Sequence, residues 1–283
     1  MPEQPHLPPP LASEDEAEGT PAAPGDPVLA ERLGAPSEPL DIYLEEASHF
    51  RPISTGDIFQ GVAVPGSTPE ETAYDLTMLV AHPSAMRKGA ALESRARAAP
   101  ITPVQGMSTR KWTAGHHDVF PLPLLAQVTE NNGFRVQPRG WAALLHLAAP
   151  IETHLLDIRR RVACLSPKGV HLLLQKLVLA DTRFAVREDT LAAAFAAKLE
   201  EIEMLQTWNE ELVAPLVDQG RDPIVELASA AHDFEAAFSA PREPTGRSLR
   251  DMLESRTDAG EAHRLLVAEI RRRRSAEPPP AAL

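Results

Sequence analysis

Prolines at 65, 83, 100, 103, 121, 123 and 138 cut the chain between Gly56 and Pro138 into short pieces. A proline has no backbone N–H to give to a ladder or a helical turn, so this stretch holds neither a long helix nor a broad flat sheet, and its prolines belong at strand ends and edges. What lies between them has strand character. The run TGDIFQGVAVPG, residues 55–66, opens on a turn signal and then alternates, with Ile58, Val62 and Val64 on the apolar side. ETAYDLTMLVAHP is a continuous apolar run closed by Pro83, as a buried strand would be, and ARAAPITPV, HHDVFPLP and GFRVQP are three further short segments. Five short strands within about 80 residues point to a small, strongly bent barrel.

Past Gly140 the apolar spacing becomes helical. WAALLHLAAPIETHLLDIRRRVACL reads as helix interrupted by Pro150. Ser166 and Pro167 make a helix start, a capping hydroxyl before a proline at the first helical position. The helix that follows brings Leu172, Leu173, Lys176, Leu177, Ala180 and Phe184 on or near one face. A second run carries a stripe of Leu191, Phe195, Leu199, Ile202, Leu205 and Leu212, with acidic residues opposite. Asp222-Pro223 starts another helix, and SLRDMLESRTDAGEAHRLLVAEIRRRR supplies one or two more. The expected fold is α+β: a small SH3-like β-barrel over 55–139 followed by a larger α-helical domain over 140–275.

The termini have another composition. Ten of the first 40 residues are proline, interspersed with SEDEAEG, and little there can be buried. Residues 1–38 and the proline-rich 276–283 are therefore expected to be disordered. Between tail and barrel, the lead-in 39–54 mixes apolar and acidic residues. It reads as a solubilising leader, with an acidic peptide that docks on a partner as the alternative. The tail also explains the net charge of -12: residues 1–54 contribute -9, and the other 229 residues only -3. A nearly neutral folded part neither requires nor excludes an anionic partner. No window of about 18 apolar residues suggests a membrane span, and the N-terminus lacks the basic start and apolar core of a secretory signal. A single cysteine, Cys164, has no internal disulfide partner and reads as a buried core residue. The expectation is a cytoplasmic protein without membrane association.

Candidate chemistry concentrates after the second strand. HPSAMRKGAALESRAR gathers His82, Ser84, Arg87, Lys88, Arg95 and Arg97, and with Thr102 these form a candidate binding loop for a phosphate or an RNA backbone. The plainer reading is a solvated basic loop with Ser84 making a local turn bond. In GHHDVF, neighbouring strand residues point to opposite faces, so His116 and His117 do not readily share an ion, and no spacing supplies the remaining ligands that His116 and Asp118 would need. No metal and no cofactor is expected. Arg159–Arg161 fall in a helical stretch, with two of the three solvated, and Arg271–Arg274 complement a helix C-terminus.

The order Gly56-Asp57-Ile58-Phe59, then LTMLVAHP, then Pro100-Ile101-Thr102 resembles the PemK/MazF-type endoribonuclease toxins over residues 55–105. The resemblance implies an SH3-like barrel and metal-independent RNA cleavage by an arginine just before the second strand and a threonine on a later one. Thr102 matches the threonine. The arginine position departs: Glu70, Glu71, Thr72, Ala73, Tyr74 and Asp75 enter that strand with no cation, and carboxylates there would repel a phosphate. The segment LSPKGVHLLLQKLVLADTRF is also similar to one that follows such a barrel in a family of high-GC bacteria without an established activity. The reading is therefore a non-enzymatic binding or adaptor protein with a protein partner, with a link to a toxin–antitoxin-like or anti-phage system suggested by the resemblance alone. The alternatives are a divergent endoribonuclease using His82, Arg87 or Lys88 and Thr102, and a nucleic-acid-binding protein using the 82–97 loop.

Overall fold

The computed structural model describes residues 33–66, 75–104, 112, 118–136, 140–182, 185–243, 245–255 and 257–276. The tail 1–32, the C-terminal 277–283, residues 70–74 of the second-strand approach, His116, His117 and Phe184 lie outside the described residues. The strands are β1 (Ile58–Gln60), β2 (Leu76–Leu79), β3 (Arg87–Lys88), β4 (Ala91–Leu92), β5 (Arg95–Pro103), β6 (Val119–Leu122), β7 (Trp141–Leu144), β8 (Ala149–Glu152) and β9 (Arg161–Ala163). The helices are α1 (Pro83–Met86), α2 (Leu125–Asn131), α3 (Pro167–Thr182), α4 (Glu188–Leu212), α5 (Ala214–Asp218), α6 (Pro223–Ser239), α7 (Leu249–Leu253) and α8 (Ala259–Ala276).

The fold is α+β, an antiparallel sheet followed by a helical C-terminal region. The sheet runs β6-β7-β5-β2-β1-β9, with β8 also on β5, and it is open, not closed into a barrel. β3 and β4 form a separate hairpin. The outer edge of β9 is covered by the lead-in: Tyr43 bridges Leu165, and the Leu44 amide donates to the Cys164 carbonyl at 3.0 Å. Ile42 and Tyr43 are buried, so this segment is part of the core and not a solubilising leader. Gly169 makes the approach possible, since a Cβ there would meet the Ile42 carbonyl oxygen at 2.2 Å.

The prolines fit the ladder. β7 and β8 are one run of chain along β5, broken by a 3₁₀ turn at Leu145–Leu147. The Arg97 carbonyl accepts from Val80 on the β2 side, so by alternation Pro100 faces the β7/β8 side, where that turn leaves the ladder open. Pro121 of the edge strand β6 likewise faces outward, because the neighbouring Asp118 carbonyl, three residues away and of opposite parity, is the one that accepts from Leu145.

Further expectations change along the sheet. The segment 141–163 is strand β7, β8 and β9 with intervening 3₁₀ turns, not helix, and sheet therefore continues past residue 139. Short apolar runs such as WAAL do not distinguish the two periods, and here Ala142 and Ala143 are small enough to lie fully buried between neighbouring strands. The part of GFRVQP that is described forms no strand, and α2 precedes it instead. Ile58 does not share a side with Val62 and Val64: it joins the core under α3, whereas they join Phe59 on the opposite face. Gly61, at φ 81°, ends β1 and resets the alternation.

The helices follow their signals more closely. The Ser166 hydroxyl accepts from the Gly169 amide at 3.2 Å, and Asp222 Oδ1 accepts from Ile224 at 2.9 Å. Lys176, expected on the margin of α3, is buried, and its Nζ donates to the Val119 carbonyl at 3.2 Å. The long α4 ties the molecule together: Leu191 and Leu199 pack into the sheet core, while Met204, Leu205 and Trp208 enter a second core with Phe234 and Phe238. Trp208 meets Phe234 edge-on at 5.7 Å and Phe234 stacks on Phe238 at 4.8 Å.

Candidate functional site

Asp57, the acid of the Gly-Asp start, is buried at the head of β1. Its Oδ2 accepts from the Ser54 amide at 3.0 Å and from Arg161 Nη1 at 2.9 Å. Arg161, buried on β9, also donates from Nη2 to the carbonyls of Ser48 and Arg51, the latter at 2.9 Å. The pair thus ties the 48–54 loop to two strands. Arg159 and Arg160 are exposed, as expected of two of the three, but in a 3₁₀ turn. Cys164 next door is buried, and burial together with the Asp57 charge pushes its thiol pKa well up, which suits a packing role.

The loop held by this pair forms one wall of a cleft of about 830 Å³. The β3–β4 hairpin, the 153–159 segment, the C-terminal half of α4 and one face of α6 supply the others. The lining is mostly apolar, with Ile53, Leu92, Leu156, Leu205 and Leu227 among it. At the mouth, Ile224 is 46% exposed. Such clefts of a few hundred cubic ångströms, apolar with a few polar groups, are where ligands and partner segments are held.

The polar groups in the cleft are largely cationic. Arg51 is only 5% exposed, and its Nη1 donates to Gln206 Oε1 at 3.0 Å. Arg87 is half-buried, donates from Nε to the Ile53 carbonyl at 3.1 Å, and donates from Nη1 to the Ala90 carbonyl. Burial pushes its pKa down to about 10, with the Asp57 and Glu201 charges opposing and Arg161 adding to the effect. Lys88, exposed, completes the rim. Two carboxylates also line the cleft, and both are engaged. Asp157 binds Arg159 at 2.9 Å. Glu235 accepts from the Ala90 amide, from both Nη atoms of Arg250 and from Ser239. Burial alone would raise its pKa, but these bonds hold it down at about 2.

The residues of the candidate loop separate. Arg87 and Lys88 line the cleft. His82 caps α1, its Nδ1 accepting from the Ser84 amide at 3.2 Å and lying 2.6 Å from Ser84 Oγ, and its ring packs edge-on against Phe195 at 4.4 Å. Ser84 therefore makes the local turn bond. Burial lowers the His82 pKa. Arg95 pairs with Glu152 at 2.7 Å and Arg97 with Asp181 at 3.1 Å. Thr102 lies seven positions beyond Arg95 on β5, opposite Ala142 of β7, roughly 23 Å along the strand. Among the described residues no group of three His, Cys, Asp or Glu could hold a metal ion, and no helix is long and apolar enough to cross a membrane.

Sequence reasoning missed Arg51, Arg161, Asn209 and the α6 face. The signal for α6 was present in Ile224, Val225 and Leu227 near a helix start. Arg51 and Asn209 are far apart in the chain, and nothing local announces their meeting. Comparison of the chain with protein-family models, curated proteins and solved structures returned no match.

Proposed function

We propose that this is a non-enzymatic binding protein, an adaptor in the cytoplasm that takes a segment of a protein partner into the cleft between the β3–β4 hairpin and α6. The observation that carries the reading is the apolar lining of the cleft, Ile53, Leu92, Leu156, Leu205 and Leu227, which opens past the exposed Ile224. Leaving an apolar lining of this size open to water is unfavourable unless something covers it. Acidic groups on the partner would complement the cationic floor and Lys88.

A photo-crosslinking residue at His232, on the cleft, and another at Arg264, on exposed α8, test this in cells. The expected outcome is one protein captured at His232 and not at Arg264, and lost when Leu227→Asp is added. Equal capture at both positions, or capture unaffected by Leu227→Asp, would refute it.

A further inference from the structure

We propose that the floor of the cleft is an anion site, in which Arg51 and Arg87 receive one carboxylate side chain from an acidic–apolar peptide segment of the partner. This rests on the cleft being the working surface and adds what it selects.

Neither arginine has a carboxylate within ion-pair distance among the described residues. The nearby acids are taken. Asp57 is held by Arg161 at 2.9 Å, and Glu201 by Lys198 at 2.8 Å and Arg250 at 3.3 Å. Glu235 and Asp157 are saturated as described above. Arg51 keeps its Nε buried with no hydrogen-bond partner. The unpartnered Oδ1 of Asn209, which also lines the cleft and whose Nδ2 is spent on the Phe50 carbonyl at 2.9 Å, is an acceptor and would take a backbone N–H of the segment, not its carboxylate. Arg87 uses Nε and Nη1 on carbonyls, and the Asp57 and Glu201 charges reach it only from outside ion-pair distance, each already paired with another cation. A buried guanidinium without a counter-charge is costly, and a carboxylate accepting from both would remove that cost. The size of the charge matters too. Glu235 and Asp157 flank the floor, so a singly charged carboxylate suits it better than a doubly charged phosphate. The apolar walls then take the side chains on either side of the acid.

The test pans short random peptides displayed on phage against the full chain. The strongest recovered peptide is then measured by fluorescence anisotropy, in its native form and with its acidic residues replaced by the corresponding amides. The expected result is an acidic residue flanked by apolar ones, and a loss of about tenfold or more in wild-type affinity on amide replacement. Arg51→Met should lower the affinity for the acidic form to that of the amide form, while Arg87→Lys retains part of the difference. Circular dichroism checks that the variants fold. If they do not, the acid-to-amide comparison on the wild type decides alone. Recovery of no peptide, amide-insensitive binding, or displacement by inorganic phosphate but not by acetate would overturn the inference. Amide-insensitive binding at the cleft, with capture at His232 intact, would overturn the anion site and leave the adaptor reading standing.

Discussion

Arg161, buried, and Arg87, half-buried, both donate to carbonyls of the same 48–54 loop, yet they are equipped differently. Arg161 has Asp57 on one side and two carbonyls on the other. Arg87, among the described residues, has carbonyls alone. Both donate to backbone carbonyls, but only Arg161 also binds a carboxylate. A guanidinium that binds its own protein's carboxylate is finished as a structural clamp. One that holds only neutral oxygens still has a charge to spend on something that arrives later.

The largest way to sharpen that comparison is to break the finished pair. Asp57→Asn leaves Arg161 buried without a counter-charge, and a loss of about 3–5 kcal/mol is expected in urea unfolding. Removing both members, as Asp57→Leu with Arg161→Met, should cost clearly less than the sum of the single changes. Strict additivity would mean that the two groups do not act as a unit.

Next comes Arg87→Met. It strips donors from the Ile53 and Ala90 carbonyls but also removes an unbalanced charge, so the net loss should be about 1–3 kcal/mol, smaller than for Arg161→Met by the same measurement. Equal losses would erase the distinction and make Arg87 a second clamp.

These two arginines also mark how far the sequence could be read. The helices α3, α4 and α6 were legible because capping residues and apolar stripes are local signals, and the burial of Cys164 followed from its apolar surroundings. The 141–163 strands were not, since four-residue apolar runs between turns carry no usable period. The site was half legible. Arg87 and Lys88 stood out as cations in a loop, but Arg95 and Arg97 looked the same and turn out to be paired with Glu152 and Asp181 across the fold. Asp57 looked like turn chemistry, and its partner lies 104 residues away. Which charge is spent and which is free is a property of tertiary pairing.

Glu235 supplies a pH-dependent check on the other wall. Its pKa in the folded protein, about 2, lies below the ordinary 4.5, so its carboxylate contributes stability that is present above pH 4.5 and lost as pH falls toward 2. Glu235→Gln should therefore be less stable than the wild type at neutral pH, and the gap should close between pH 4.5 and 2 in urea titrations at stepped pH. A gap that stays constant through that window would mean that the carboxylate's charge contributes nothing there, and that Arg250 does not need it.

The smallest effect is expected where the sequence drew most attention. Arg95 and Arg97 make solvent-exposed ion pairs, whose gain in water is nearly offset by the entropy of holding two long side chains. Arg95→Ala and Arg97→Ala should each change unfolding free energy by less than about 1 kcal/mol. Neither should alter the affinity of a cleft-binding peptide, because neither residue lines the cleft. If the 82–97 loop were instead one continuous surface for a nucleic-acid backbone, each substitution would lower the salt dependence of RNA binding by about one ion. A steep salt slope for single-stranded RNA, reduced by Arg95→Ala and untouched by Arg51→Met, would transfer the function from the cleft to the exposed start of β5. With Arg95 held by Glu152 and Arg97 by Asp181, an RNA backbone would have to displace those carboxylates first, whereas among the described residues no carboxylate is paired with Arg51 or Arg87.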